Sequence, residues 1–342
     1  MRKILLYAFY LLVVLVLFGL FVFIKKPEHI VFPNVNIFRN ETVSVLNFGD
    51  VMFDRGVRNI IENRKRDPFE YIKKDLDLIK KYDVVIANLE GPIVEMDRSL
   101  CQQKAYNFQF ASNTTERLKS VGINMVNIAN NHSHDCYSRG VESTKNYLQK
   151  AGIDYVGDID TEKSASSTSN SYVVKNINGK SVVFVGIDQT VGVVPVSDFY
   201  GLIKKLKTEN DFVVVNIHWG TEYELTETST QSNIAHRLID SGADVIFGHH
   251  PHVIEPVIIY KGKAIFYSLG NFVFDQVGEN ENSGIGVGAE FRDGDVKFEI
   301  LPYKIKIFAP DFLKGIDKNN FCEKFLKDIE HGGCSFELTT GR

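Results

Sequence analysis

The stretch DVIFGHHPHVIEP, residues 244–256, sets three apolar residues and a glycine before three histidines in four positions. The chain has nine histidines in all, so a third of them fall at the mouth of one apparent strand. Imidazole is the commonest metal-ligand side chain. A loop at a strand end, stiffened here by Pro251, is held by the rigid element before it. This cluster therefore points to metal or phosphate chemistry rather than to an ordinary polar turn.

Four other strand-like runs end the same way. TVSVLNF (42–48) leads to Gly49-Asp50, and DVVIANLEG (83–91) places Glu90 at its end. INMVNIANNHSHD (123–135) ends in Asn131, His132 and Asp135, and DFVVVNIHWG (211–220) ends in His218. Between these runs the pattern predicts helices near 68–81, 113–120, 138–150, 198–208 and 230–241. A hairpin is expected at Asn178-Gly179, because Asn-Gly is the strongest short turn signal. Later strands are expected at 253–260, 264–268, 285–291 and 296–303. Strand–loop–helix alternation of this kind gives an α/β protein with a parallel or mixed sheet. In such sheets ligands bind outside the carboxyl ends of the strands, where all five polar clusters lie.

The residue types narrow the chemistry. Carboxylates (Asp50, Glu90), an amide (Asn131) and imidazoles (His218, His249, His250, His252) together suit Mn, Fe or Zn better than Ca or Mg. One or two such ions would activate water and clamp an oxygen of the substrate. His132 is then the candidate general acid, with Asp135 three residues on to orient it. Trp219, Glu222, Tyr223 and Asn271 are candidates to line a substrate groove. His134 and His236 are read as bystanders, and Arg55 and Arg58 as helix-surface charges or contacts for an anionic substrate.

The amino terminus has a separate signature. Residues 4–24 form an uncharged run of 21 residues flanked by Arg2, Lys3, Lys25 and Lys26. At about 1.5 Å per residue, the run spans one hydrocarbon core of ~30 Å. No small-x-small cleavage signature follows, so residues 1–26 are read as a retained membrane anchor and 27–41 as a linker. A domain is expected over 42–305 and a C-terminal extension over 306–342. The main domain is expected outside the cytoplasm, the usual result for a short basic amino terminus kept inside. The net charge of −4 gives no support for nucleic-acid binding. Four cysteines in an exported domain suggest two disulfides. Cys322 and Cys334 can close a small loop, which leaves Cys101 with Cys136, tethering the loop after NLEGP to the loop after NNHSHD.

Taken together, Gly49-Asp50, ANLEGP (87–92), ANNHSHD (129–135), HWGTEY (218–223), GHHPH (248–252) and YSLGNFVFD (267–275) resemble the CapA-type proteins of poly-γ-glutamate capsule synthesis. The resemblance runs from about Val43 to Asp275. That family is similar in turn to calcineurin-like metallophosphoesterases, which implies a four-layer α/β/β/α sandwich with two mixed sheets, preceded here by one transmembrane helix. Asp50 matches the first aspartate of the phosphoesterases' D-x-H motif, with Met52 in place of the histidine. Glu90 stands for their bridging aspartate, Asn131 and His132 for their Asn-His pair, and His218 for their isolated histidine. GHHPH has one residue more than their G-H-x-H, so either His249 or His250 pairs with His252, and His250 is preferred. The resemblance implies a membrane-anchored capsule biosynthesis protein with a metal-dependent hydrolase or transferase site. The alternative is a non-catalytic subunit that binds an anionic extracellular polymer and a membrane-embedded synthase or export complex.

Overall fold

The computed structural model describes residues 42–157, 168, 170–191 and 194–339. The expected anchor and linker, residues 1–26 and 27–41, lie outside the described residues. Among the described residues no helix is long and apolar enough to cross a membrane.

The strands in chain order are β1 (Val43–Val51), β2 (Val84–Leu89), β3 (Met125–Asn127), β4 (Asp154–Val156), β5 (Tyr172–Ile177), β6 (Lys180–Asp188), β7 (Phe212–His218) and β8 (Val245–His249). They continue with β9 (Val257–Tyr260), β10 (Lys263–Phe266), β11 (Asn271–Val273), β12 (Ser283–Arg292), β13 (Asp295–Lys306), β14 (Ala309–Phe312) and β15 (Ser335–Thr339). The helices are α1 (Arg55–Glu62), α2 (Asp77–Lys80), α3 (Thr114–Ser120), α4 (Tyr137–Ala151), α5 (Val196–Glu209), α6 (Ser229–Asp240) and α7 (Gly315–Phe325).

These strands form two mixed sheets. One runs β14-β13-β12-β1-β2-β3-β4, with β11 beside the end of β1 and β15 beside β13. The other runs β5-β6-β7-β8-β10-β9. Period-two alternation assigns each strand residue to a layer. Val43, Val45, Val84 and Ile86 point into a core shared with Phe184, Val214 and Phe247 of the second sheet. Their neighbours Leu46, Phe48, Val85 and Ala87 point the other way, onto Val57 of α1, Leu118 of α3 and Leu148 of α4. On the far face of the second sheet, Val183, Val215 and Ile246 meet Phe199 and Ile203 of α5 and Leu238 of α6. Three apolar cores thus separate four layers. Each fully buried Val, Leu, Ile or Phe contributes roughly 1.5–3 kcal/mol against exposure.

Several expectations need revision. The stretch 68–81 is not one helix but a 3₁₀ turn at Ile72–Asp75 followed by the short α2. The apolar spacing is satisfied, since Ile72 and Ile79 are buried, but neither piece has a side-chain N-cap. Soon after β1 the chain enters α1, a helix not among those expected, which Asp54 caps by accepting from Arg55 N at 2.8 Å. The boundary expected at 305 falls inside β13. In residues 306–339, β14 and β15 both pair with β13, and Cys322, Leu326 and Phe336 join the middle core.

Candidate metal centre

The floor of the site is made of amides. Asn47, Asn88, Asn127 and Asn216 occupy inward-facing positions near the carboxyl ends of β1, β2, β3 and β7, and all are fully buried. Apolar side chains at these positions would extend the middle core, so the polar layer marks where packing gives way to chemistry. Asn88 is its hub. Its Nδ2 donates to Asp50 Oδ1 at 2.8 Å and lies 3.3 Å from His218 Nδ1, while its Oδ1 accepts from Asn127 Nδ2 at 3.0 Å and Asn130 Nδ2 at 3.2 Å. Asn47 reaches across the two sheets to Asn216 at 2.6 Å.

Above this floor the strand ends converge. Asp50, Glu90 and His218 offer ligand atoms within 4.8 Å of one another, as do Glu222, His250 and His252. The two groups adjoin: His252 Nδ1 is 3.3 Å from Asp50 Oδ2, and its Nε2 is 3.6 Å from Glu90 Oε1. His249 Nδ1 lies 3.6 Å from Asp50 Oδ1. Asn131 Oδ1 sits 2.9 Å from His218 Nε2, and Asn271 Oδ1 sits 3.0 Å from His252 Nδ1. His250 and His252 both have positive φ, 97° and 61°, flanking Pro251. Such backbone conformations cost of order 1–3 kcal/mol at a non-glycine residue and persist where surrounding contacts enforce them. Here Tyr223 N donates to Pro251 O at 2.9 Å, and His250 N donates to Asp50 Oδ2 at 3.3 Å.

Both oxygens of Glu90, both ring nitrogens of His249 and Nδ1 of His250 are buried with no hydrogen-bond partner. A buried polar atom left unpaired costs about 1–3 kcal/mol. Unpaired carboxylate oxygens and imidazole nitrogens of this kind are what a cation-binding site offers an ion. The donor set of carboxylate oxygen and imidazole nitrogen fits a divalent transition metal. The protonation states agree. Burial holds the imidazoles of His249 and His250 down at about 4, so both are neutral donors at pH 7. Burial likewise lowers His218, helped by four nearby histidines, His250, His249, His252 and His132. Burial, with the charge of Asp50, pushes Glu90 well above the usual carboxylate range. His252 goes the other way. Burial opposes its charge, but Glu90 and Asp50 outweigh that and raise it to about 9. A cation in place of that proton would satisfy the same carboxylates.

His132 stands beside this centre. Its Nδ1 lies 2.8 Å from Asp135 Oδ2, and its Nε2 faces Glu90 Oε1 at 3.9 Å. Phe108 stacks on its ring at a centroid distance of 4.0 Å. Asp135 also accepts from Phe108 N at 2.6 Å and pairs with Lys104 Nζ at 2.5 Å. Burial lowers His132, with Asp135 acting against that shift. The loop carrying Lys104 and Phe108 is tied down by a disulfide between Cys101 and Cys136. A second disulfide joins Cys322 to Cys334.

A profile described as "Bacterial capsule synthesis protein PGA_cap" matches residues 44–276, a span that holds all the side chains of the candidate centre. The chain belongs to that family. Among relatives of this capsule synthesis protein, the PGA biosynthesis protein CapA of Bacillus subtilis is 29% identical over 95% of this chain and 90% of its own length. The capsule biosynthesis protein CapA of Bacillus anthracis is 31% identical over 86% of this chain and 75% of its own. A solved structure of a phosphatase from Mycoplasma pneumoniae shares 17% identity, covers 80% of this chain and 91% of that one, and superposes with a TM-score of 0.48.

In this capsule synthesis protein, Met52 is buried, and its sulfur takes the Asp54 N–H at 2.9 Å. Asp50, Glu90, Asn131, His132, Asp135, His218, His249, His250, His252 and Asn271 are brought together, as are Glu222 and Tyr223 at the mouth. Trp219 is not. It is fully buried on the outer face of β7's end, stacked on Tyr267 with Nε1 donating to Tyr267 O at 2.9 Å. It covers Gly248, where a Cβ would lie 1.8 Å from Tyr267 O. The sequence reading placed Glu222 in a groove, whereas its carboxylate reaches His250 and His252. It passed over Asn88, Asn127, Lys104 and Phe108 altogether. Asn88 and Asn127 were findable, because each sits in register with the inward apolar residues of its strand. His236 stacks on Tyr260 at 3.8 Å, on α6.

Proposed function

We propose that this capsule synthesis protein is a metal-dependent hydrolase or transferase acting on an anionic extracellular polymer or its phosphorylated precursor. The observation that carries this reading is the set of buried, unpartnered atoms of Glu90, His249 and His250, in strand-end loops that also bring Asp50, His218, Glu222 and His252 together, with His132 beside Glu90. Asp50, Glu90 and His218 would hold one ion. Glu222, His250 and His252 would hold a second, with Asn131 and His249 adjoining. Bound there, Mn, Fe or Zn would polarise the substrate oxygen and make water more acidic. Asp135 holds His132 by Nδ1, leaving Nε2 turned toward the centre to give a proton to the leaving group. Lys104 offsets the charge of Asp135 and so keeps that pairing from drawing a second proton into the site. Anchoring through residues 4–24, an extracytoplasmic location and contact with a membrane-embedded synthase or export complex complete the reading.

Met52 favours a second reading, a non-catalytic subunit, because its sulfur is occupied and adds no nitrogen ligand where the phosphoesterase motif has one. Elemental analysis of the purified full-length chain separates the two. One or two transition ions per chain, reduced in both His218→Ala and His250→Ala, is the expected result. A metal-free chain after purification under replete conditions would sink the hydrolase reading.

A further inference from the structure

Next to the metal centre, on the other side of Asn131, lies a second cavity of about 340 Å³. Its walls include Ile128, Lys104, Asn131, Tyr137, Val191 and Asp188. Ligand pockets begin at roughly 300 Å³, whereas one water takes about 30 Å³. Asp188 is the last residue of β6, in register with His218 of β7, and only 5% exposed. Its Oδ1 accepts from Thr190 N at 2.9 Å and Thr190 Oγ1 at 2.5 Å. Among the described residues, no lysine or arginine forms an ion pair with it. The other charge on the wall is already committed. Lys104 pairs with Asp135 at 2.5 Å and donates to Asn131 O at 3.2 Å. Among the described residues the cavity therefore holds one buried carboxylate with no ion-pair partner, an arrangement that is costly unless something cationic completes it. Burial also raises its pKa.

We propose that this cavity is a subsite for a primary ammonium group on a compact, partly apolar body, with Asp188 as its partner. A divalent ion fits poorly, since it requires several oxygen ligands and the wall supplies one carboxylate. Ile128 and Val191 give the aliphatic contact for the body. The half-exposed ring of Tyr137 at the lip can face a cation, as aromatic rings do. Asn131 joins the two sites, because its Oδ1 meets His218 in the metal centre while the residue also lines this cavity. The subsite rests on the metal-centre reading only in placing the amine next to the reacting bond. It extends that reading by giving the substrate, or the acceptor of a transferred group, a free amine.

Binding tests this without any activity assay. The full-length chain, stripped of metal by chelation, is titrated at pH 7.5 with n-butylammonium and with its neutral isostere butan-1-ol, by ligand-observed NMR. The ammonium is expected to bind saturably, at least tenfold more tightly than the alcohol, the scale of one lost charge-assisted hydrogen bond. Asp188→Asn should erase that preference, and Val191→Trp should block both ligands without lowering the melting temperature. Equal binding of the alcohol, or an unchanged preference in Asp188→Asn, overturns the proposal. If Asp188→Asn fails to fold, unaltered ammonium binding in Val191→Trp overturns it instead. Metal content measured on the same proteins keeps the two readings apart, since the subsite can fail in a chain that loads metal and hold in one that does not.

Discussion

Asn88 should be the most consequential residue of the site that carries no charge. Replacement by alanine removes the donor to Asp50 Oδ1 and the neighbour of His218 Nδ1, and the acceptor of Asn127 and Asn130. The two asparagines keep other bonds, Asn127 to Ala129 O at 3.2 Å and Asn130 to Leu89 O at 2.9 Å. Asp50 Oδ1 and His218 Nδ1 have no such reserve and become buried orphans. At about 1–3 kcal/mol each, the loss comes to roughly 2–6 kcal/mol. For a domain of this size, that is a fall in melting temperature of about 3–10 °C. Because Asn88 orients one carboxylate and one imidazole of the proposed ion site, metal affinity should drop about 10–100-fold as well. Asn88→Asp is the control. It keeps the shape but sets a carboxylate where Asp50 now accepts a bond at 2.8 Å, so it should be at least as damaging as alanine. Urea denaturation and metal titration of the three proteins decide the matter. An alanine variant within about 1 kcal/mol of wild type, with unchanged metal affinity, would refute the hub assignment.

Replacing Cys101 and Cys136 together by serine opens a loop of 35 residues and should cost about 4 kcal/mol by the loop-entropy relation, read from the urea midpoint under non-reducing conditions. The same variant should lose the Lys104–Asp135 pairing before it unfolds globally, seen as faster hydrogen exchange in residues 97–107. In the Asn47–Asn216 pair, either single change to leucine should destabilise more than the double change, because only the singles leave a buried amide unpaired; additive losses in a double-mutant cycle would contradict this. Glu255 is 1% exposed and burial raises it to about 7, against an ordinary value of 4.5. A raised carboxylate favours the fold while protonated, so its contribution is complete below pH 4.5 and disappears as pH rises through 7. Glu255→Gln should therefore be more stable than wild type at pH 8, by about 3 kcal/mol, and equal to it at pH 4; a constant difference across that range would rule the titration out.

The part of the fold that carries the site was legible because its signals are local. Each of β1, β2, β3, β7 and β8 is a short apolar run followed at once by a polar cluster, and the parallel-sheet rule then sends all five clusters to one end. What escaped was non-local. β14 contains Pro310 and β15 is five residues long, so neither reads as a strand until β13 is there to pair with it. Trp219 is more instructive. Its place beside His218 suggested a groove, yet adjacent residues of a strand face opposite ways. Once His218 points inward, Trp219 must point outward into the α5–α6 core. Glu222 was visible as a site residue, but the loop path that brings it to His250 depends on the positive φ of Tyr223, 69°, which the sequence does not announce.

β1 sits in the middle of its sheet although it is the first strand of the domain. One edge finds β2 within some forty residues, but the other waits for β12, whose Phe291 pairs with Val43. Roughly 250 residues must be made in between, about 12–50 s at ordinary rates of synthesis. For that time the chain carries an open, apolar strand edge, the kind that recruits other strands. The last segments to emerge, β12 to β15 with the loop closed by Cys322 and Cys334, are therefore the ones that seal the sheet. Commitment to the native state is deferred until β12 and the strands after it have been made.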